Sequence, residues 1–242
     1  MLYIITLVIF CAVYSASIFL MKYMKNTRLT NAVLAALVYV PYVVLCCVVY
    51  SDVGFNDWNF RNVLPTANVS PFCFFTIPFV IVLPRGAKQH AYLLISLLTV
   101  GMFFSTVLGF LYNASINYKF HPHFLLDYVS HFSLSLLGIY LVRSGQVKPS
   151  PKGALKSGAI IFSAAGIMLI LNLIFDTAFF GLSLRGKHNI YNNVLTDSSL
   201  LSALIYFAGL LTVLLLGYLV CSVAKKERFM IKTASASQED DV

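Results

Sequence analysis

Ionisable side chains occur in an otherwise apolar part of the sequence, around residues 121–131. His123, Asp127 and His131 are spaced four residues apart, so in a helix they line one face. The residues around them have the composition of a membrane-spanning helix. Ionisable groups inside a membrane are costly, and they usually mark a functional site. These three residues are therefore the first candidates for chemistry in this chain.

Three kinds of chemistry could use such a row of side chains. All three cannot hold one metal ion, because positions eight residues apart in a helix lie about 12 Å apart along its axis; at most a pair could, with help from His188 or Asp176. A proton or ion pathway would need polar residues that continue to the opposite surface, and the sequence supplies almost none there. Acyl transfer would use a cysteine nucleophile and a histidine base that a carboxylate orients. This third chemistry requires no metal ion and no cofactor.

Further polar residues map to the same, outer side of the predicted protein. Cys73 is expected about one turn below the surface in the third apolar segment, and Pro78 removes a backbone hydrogen bond beside it. Asp127 lies one turn from His131 and is placed to orient its ring. Five residues could line a substrate-binding region: His123, Asp176, His188, Asn189 and Asn193.

The elements that must position these residues are membrane helices. Of the 242 residues, 59% are hydrophobic and 11% are charged, against roughly 25% charged in an ordinary soluble domain. Several apolar segments approach the roughly 20 residues that cross a hydrocarbon core. We predict an all-α, polytopic membrane helix bundle with seven spans, approximately 2–21, 31–50, 69–83, 90–112, 120–142, 153–175 and 200–223. The third span is short and rich in proline.

The distribution of basic residues predicts the orientation of these spans. With the N-terminus outside and the C-terminus cytoplasmic, 13 of the 17 Lys and Arg residues fall on the inner side: Lys22, Lys25, Arg28, Arg85, Lys88, Arg143, Lys148, Lys152, Lys156, Lys225, Lys226, Arg228 and Lys232. Short cytoplasmic loops carry this excess in membrane proteins. The net charge of +8 therefore reflects topology, and no nucleic-acid partner is expected.

The domain organisation is simple. Residues 1–232 are predicted to form one seven-helix transmembrane domain, and residues 233–242 a disordered, acidic cytoplasmic tail. All five cysteines fall in apolar spans without a C-x-x-C pair, so a disulfide framework is not expected. The predicted location is a bacterial cell membrane or a eukaryotic endomembrane.

Short motifs occur in an order that resembles one known family. Pro71-Phe-Cys73 opens the third span, Ser130-His131 precedes an apolar stretch in the fifth, and residues 188–194 form an Asn-rich loop before the seventh. With seven spans and an outer N-terminus, these motifs resemble the family of bacterial YwaF-type membrane proteins and eukaryotic transmembrane protein 164. In the eukaryotic branch, the resemblance implies an acyltransferase that moves fatty acyl chains between phospholipids. It implies Cys73 as nucleophile, His131 as base, and phospholipid and lysophospholipid as partners.

A non-enzymatic membrane protein is the alternative, either a small-solute transporter or a receptor in which the His and Asp residues form a buried polar network. A G-protein-coupled receptor should show a charged motif at the inner end of span three and an outer disulfide, and the sequence has neither. A transporter usually has inverted repeats or pairs of interrupted helices, and only span three is interrupted. Close helix packing through Gly101, Ser105 and Gly109 in span four would suit any of these proteins.

Overall fold

The computed structural model describes residues 2–24, 27–53, 64, 69–83, 85–115, 123–175 and 199–239. All regular structure within these ranges is helical. The helices are α1 (Leu2–Leu20, followed by a 3-10 turn at Met21–Tyr23), α2 (Thr27–Val53), α3 (Val69–Val82), α4 (Arg85–Ser115), α5 (His123–Arg143), α6 (Pro151–Phe175) and α7 (Ser199–Glu239). The predicted all-α bundle is therefore confirmed.

Most of these helices can cross a membrane. By length and composition, α1, α2, α4, α5, α6 and α7 contain candidate spans, whereas α3 is apolar but shorter. The short α3 matches the short third span predicted from the sequence. It ends at Val82, as expected before Pro84, because a proline disfavours helical backbone at the residue that precedes it. The chain is a multi-pass helical membrane protein.

Helix α7 extends beyond its membrane span. It continues to Glu239, and the disordered tail predicted from Thr233 onwards stays a prediction. No glycine or proline follows Gly217, so the residues after the span contain no strong helix breaker.

Helix α5 lies at the centre of the bundle, where it contacts α1, α2, α3, α4 and α7. Serine side chains join it to its neighbours. Ser130 donates to the Val38 carbonyl of α2 at 2.9 Å, and Ser135 donates to the Thr99 carbonyl of α4 at 2.9 Å. Because the Ser135 hydrogen is used there, the Tyr14 hydroxyl of α1 donates to Ser135 across 2.6 Å. These bonds fix the rotation of α5.

Two glycines allow α4 to approach its neighbours closely. A Cβ atom at Gly138 of α5 would overlap Thr99 Oγ1, and one at Gly217 of α7 would overlap the Leu97 carbonyl of α4. Residues without a Cβ let helix backbones come together in membranes. The contacts of α5 and α7 with α4 therefore depend on these two positions.

The small residues predicted to form a packing face on α4 contact two different helices. A Cβ at Gly101 would lie 2.6 Å from Val213 of α7, and one at Gly109 would lie 3.4 Å from Tyr128 of α5. Ser105 donates to the Met102 carbonyl within α4. The series therefore serves packing, as expected, although its two ends face separate partners.

The helix ends that were predicted to be cytoplasmic meet on one side of the bundle. Arg143 at the end of α5 donates to the Ile18 carbonyl of α1 at 3.0 Å. Asn31 near the start of α2 donates to Gln146, just after α5, at 2.7 Å. Between these two bonds the chain turns at Gly145, whose φ of 73° favours glycine. The ends of α1 and α5 and the start of α2 therefore lie close together, as the predicted loops require.

Candidate active site

The predicted pair of His131 and Asp127 is formed on α5. Nδ1 of His131 lies 2.9 Å from the backbone carbonyl oxygen of Asp127 and 3.3 Å from its carboxylate Oδ1. A carbonyl oxygen only accepts hydrogen bonds, so Nδ1 carries the hydrogen in this arrangement. Nε2 is then the unprotonated nitrogen of the neutral ring. Within the described ranges, no residue is hydrogen-bonded to Nε2.

The two members of this pair differ in their exposure. The side chain of His131 is 11% exposed, whereas that of Asp127 is 36% exposed. An ionised carboxylate is far more costly to bury than a neutral imidazole. The site therefore places the permanently polar group towards the edge of the bundle and the ring, which can be neutral, inside it.

An aromatic pair from two other helices lies beside His131, with Phe74 in contact with the imidazole and Tyr42 behind it. The ring of Phe74 on α3 meets the imidazole edge to face, with centroids 4.7 Å apart and an interplanar angle of 85°. Tyr42 of α2 meets Phe74 in the same manner, at 5.6 Å and 61°. Such edge-to-face pairs are a favoured geometry for aromatic rings. The imidazole is therefore held both by its own helix and by α3.

Cys73 is buried, with an exposure of 7%, and precedes Phe74 on α3. Among the described residues, its thiol has no hydrogen-bond partner and is not bonded to His131. Successive residues in a helix point about 100° apart. Since Phe74 faces His131, Cys73 is directed to one side of it. Helix α3 therefore packs against His131 through Phe74 and not through Cys73.

The backbone of α3 is altered close to Cys73. Pro78 lies inside the helix and has no N–H to donate to the carbonyl of Phe74. Two residues before Pro78, Thr76 Oγ1 donates to the carbonyls of Phe72 at 2.9 Å and Cys73 at 3.2 Å. Helices bend where the ladder of backbone hydrogen bonds is interrupted in these ways. Of the helices that contact α5, α3 is the shortest; α2 also contains an internal proline, Pro41.

The predicted substrate-binding residues are placed only in part. His123 is the first residue of α5, and its side chain lies outside the described part of the molecule. The remaining four predicted residues lie outside the described residues altogether: Asp176, His188, Asn189 and Asn193. Their role in binding a substrate stays a prediction. In the described ranges no group of three or more His, Cys, Asp or Glu side chains is arranged to hold a metal ion.

Sequence reasoning missed Phe74, the aromatic partner of His131, and Tyr42, which packs on Phe74. Phe74 and Tyr42 are two among 20 phenylalanines and 14 tyrosines, and no spacing within their own helices distinguishes them. The adjacency of Phe74 to Cys73 was the one available signal. This adjacency indicates a contact with His131 only in the folded structure, where α3 lies against α5.

The fold and site together define a multi-pass helical membrane protein with a buried histidine that is bound to an aspartate and packed against an aromatic ring. No family model, curated protein or solved structure matches this chain.

Proposed function

We propose that the protein is an integral membrane acyltransferase, which moves a fatty acyl chain between phospholipids through Cys73 and His131. The observation that carries this proposal is the position of the His131 ring beside the Asp127 backbone and carboxylate. Its Nδ1 is bonded to the Asp127 carbonyl, which leaves Nε2 to accept a proton. A general base requires this arrangement. The resemblance of the motifs around Cys73 and His131 to an acyltransferase family supports the same conclusion.

In the first half of the reaction, Cys73 takes the acyl group from a phospholipid. Nε2 of His131 accepts the thiol proton while the sulfur attacks the ester carbonyl. A C–S bond forms and the ester C–O bond breaks. The imidazolium returns the proton to the departing oxygen, so a lysophospholipid leaves and a thioester on Cys73 remains.

In the second half, the acyl group passes to another lysophospholipid. Nε2 accepts the proton of the lysophospholipid hydroxyl as its oxygen attacks the thioester. The new ester C–O bond forms, the C–S bond breaks, and the sulfur recovers the proton from the imidazolium. Exclusion of water from the apolar surroundings favours transfer over hydrolysis.

The negative charge of the Asp127 carboxylate assists both halves of the reaction. His131 becomes an imidazolium in each, and the carboxylate 3.3 Å away stabilises that positive charge. Electrostatic interactions are stronger inside the bundle than in water. Asp127 is thus proposed as a positioning and electrostatic residue for His131.

Catalysis requires Cys73 to approach His131 when a substrate binds, because the two are not bonded in this structure. Catalytic hydrogen bonds in free enzymes are often long and shorten in the substrate complex. The interruption at Pro78 allows the segment that contains Cys73 to adjust. Phe74 is the side chain that must move, since its ring lies against the imidazole.

The proposal is tested by searching for the acyl-enzyme. The full chain is reconstituted in vesicles of phosphatidylethanolamine, and its intact mass is measured before and after treatment with hydroxylamine, which cleaves thioesters. We expect one hydroxylamine-sensitive acyl adduct on the unmodified protein and none on Cys73→Ala. The matched control is Cys221→Ala, because the Cys221 thiol is as buried but donates to the Ser96 carbonyl on α4. This control variant should keep the adduct.

Transfer itself is measured with phosphatidylethanolamine that carries deuterated acyl chains and with lysophosphatidylcholine as acceptor. Appearance of deuterated phosphatidylcholine should depend on Cys73 and not on Cys221. Equal rates of transfer by the unmodified protein and by Cys73→Ala would overturn the proposal and would leave the His131–Asp127 pair as a packing element.

A further inference from the structure

A concave feature lies between α4, α6 and α7, on helices that carry neither His131 nor Cys73. It is an apolar groove of about 440 Å³, a volume within the range of ligand sites in proteins, about 300–1,000 Å³. Its walls include Leu97 of α4, Ala154, Gly158 and Phe162 of α6, and Leu214 and Tyr218 of α7. No residue of the proposed active site contributes to it.

Small side chains on α6 create the groove. Ala154 and Gly158 line its floor, and a Cβ added at Gly158 would come no closer than 3.7 Å to Leu214 of α7. At the rim, Leu155 of α6 is 76% exposed and Leu215 of α7 is 56% exposed. The groove therefore opens sideways, towards the hydrocarbon that surrounds a membrane protein.

Positive charge lies at one end of this apolar groove. Lys152 and Lys156 are exposed in the first two turns of α6, whose first turn contains no acidic residue. Lys152 precedes the lining residues Leu155 and Ala159 by three and seven positions, so it lies on their side of the helix. An apolar groove with lysines at its cytoplasmic end matches the two parts of a phospholipid, its acyl chain and its phosphate.

We infer that this groove binds one anionic phospholipid of the cytoplasmic leaflet. Lys152 and Lys156 contact its phosphate, and one acyl chain lies along Ala154, Gly158 and Phe162. The inference does not depend on the proposed acyl transfer, because no residue of the proposed active site lines the groove.

A second copy of the chain fits this surface less well than a lipid does. In a symmetric dimer within a membrane, the same residues of both copies meet at the same depth. Lys152 and Lys156 of two copies would then repel each other.

Photocrosslinking tests the inference with the full chain in vesicles. Two probes carry the same diazirine in an acyl chain, one on phosphatidylglycerol and one on phosphatidylcholine. Mass spectrometry of peptides then locates the crosslinks. We expect both probes to label α6 and α7 residues of the groove, with the anionic probe favoured about fivefold for each lysine that contacts the phosphate.

Two pairs of variants separate the apolar and the charged parts of the site. Gly158→Leu fills the groove and should abolish labelling there. Its matched control, Gly166→Leu, adds the same side chain on the same helix where nothing lies within 4 Å of the new Cβ, and it should leave labelling unchanged. Lys152→Gln should reduce the preference for phosphatidylglycerol about fivefold, whereas Lys152→Arg should keep it.

Three outcomes would overturn the inference. Equal labelling by the two probes would show that the site does not select an anionic headgroup. Labelling that survives Gly158→Leu would show that the lipid does not bind in the groove. A dimer in native mass spectra that is lost in Gly158→Leu and kept in Gly166→Leu would assign the groove to a second copy of the chain. None of these outcomes affects the acyl adduct on Cys73, so the two proposals fail separately.

Discussion

Nδ1 of His131 is closer to the backbone carbonyl oxygen of Asp127, at 2.9 Å, than to the carboxylate of the same residue, at 3.3 Å. A carbonyl oxygen has two lone pairs, so it can accept this bond besides its helical one. The backbone of Asp127 therefore orients the ring, while the carboxylate supplies charge. Orientation of the ring and stabilisation of its charge are therefore divided between the backbone and the side chain of Asp127.

This division predicts a partial effect for Asp127→Asn. The backbone carbonyl remains, so the ring keeps its orientation and the protein its fold, but the charge that stabilises the imidazolium is lost. We expect acyl transfer to slow by about 10- to 100-fold, equivalent to about 1.4–2.7 kcal/mol in the barrier. Initial rates in vesicles measure the change. Asp127→Ala should behave like Asp127→Asn, and complete inactivity of both variants would show that the side chain does orient the ring.

A second prediction concerns the joint action of the nucleophile and the base. Cys73→Ala and His131→Ala should each abolish acyl transfer, and the double variant should be hardly worse than either, because groups that act as a unit are not additive. The rates of acyl transfer by the three variants and the unmodified protein together form a double-mutant cycle. Losses that multiply would mean that the two residues act independently, contrary to the mechanism.

A third prediction concerns the close approach of α7 to α4. Gly217→Ala introduces a Cβ against the Leu97 carbonyl, which is backbone and cannot move aside, so we expect a loss of about 1–3 kcal/mol in stability. Gly209→Ala on the same helix is the control, since nothing lies within 4 Å of its added Cβ. Thermal unfolding in detergent measures both. Equal melting temperatures for the two variants would contradict the packing described for α7.

A fourth prediction concerns the hydrogen bond between Tyr14 and Ser135. It joins α1 to the central helix at 2.6 Å, and such bonds between membrane helices are worth about 0.6 kcal/mol on average and about 1.7 kcal/mol at most. A double-mutant cycle of Tyr14→Phe and Ser135→Ala should yield a coupling energy within these values. A coupling of zero would mean that the bond does not stabilise the bundle.

A fifth prediction concerns topology. The distribution of basic residues places Lys152 inside and Lys187 outside. Single cysteines at these positions, in a protein whose own cysteines are replaced, should react with a membrane-impermeant thiol reagent from opposite sides of the membrane. Labelling from the same side would refute the predicted orientation.

The sequence by itself determined the apolar helices and the local pair at the site. Hydropathy over about 20 residues follows from the thickness of a bilayer, and it located span three at 69–83, where the structure has Val69–Val82. Asp127 and His131 were predicted to meet because helical geometry brings residues four apart together. Both predictions depend only on neighbours along the chain, and this is why they could be made without a structure.

Only the tertiary structure decided which faces of the helices meet. It placed Phe74 against His131, joined Ser135 to Tyr14 and Thr99, and set Gly217 against Leu97. In a soluble protein the apolar stripe of a helix reveals its inner face. Here the lipid is as apolar as the core, so the apolar pattern carries little information about rotation. The side chain that faces the histidine is therefore decided by packing between distant parts of the chain.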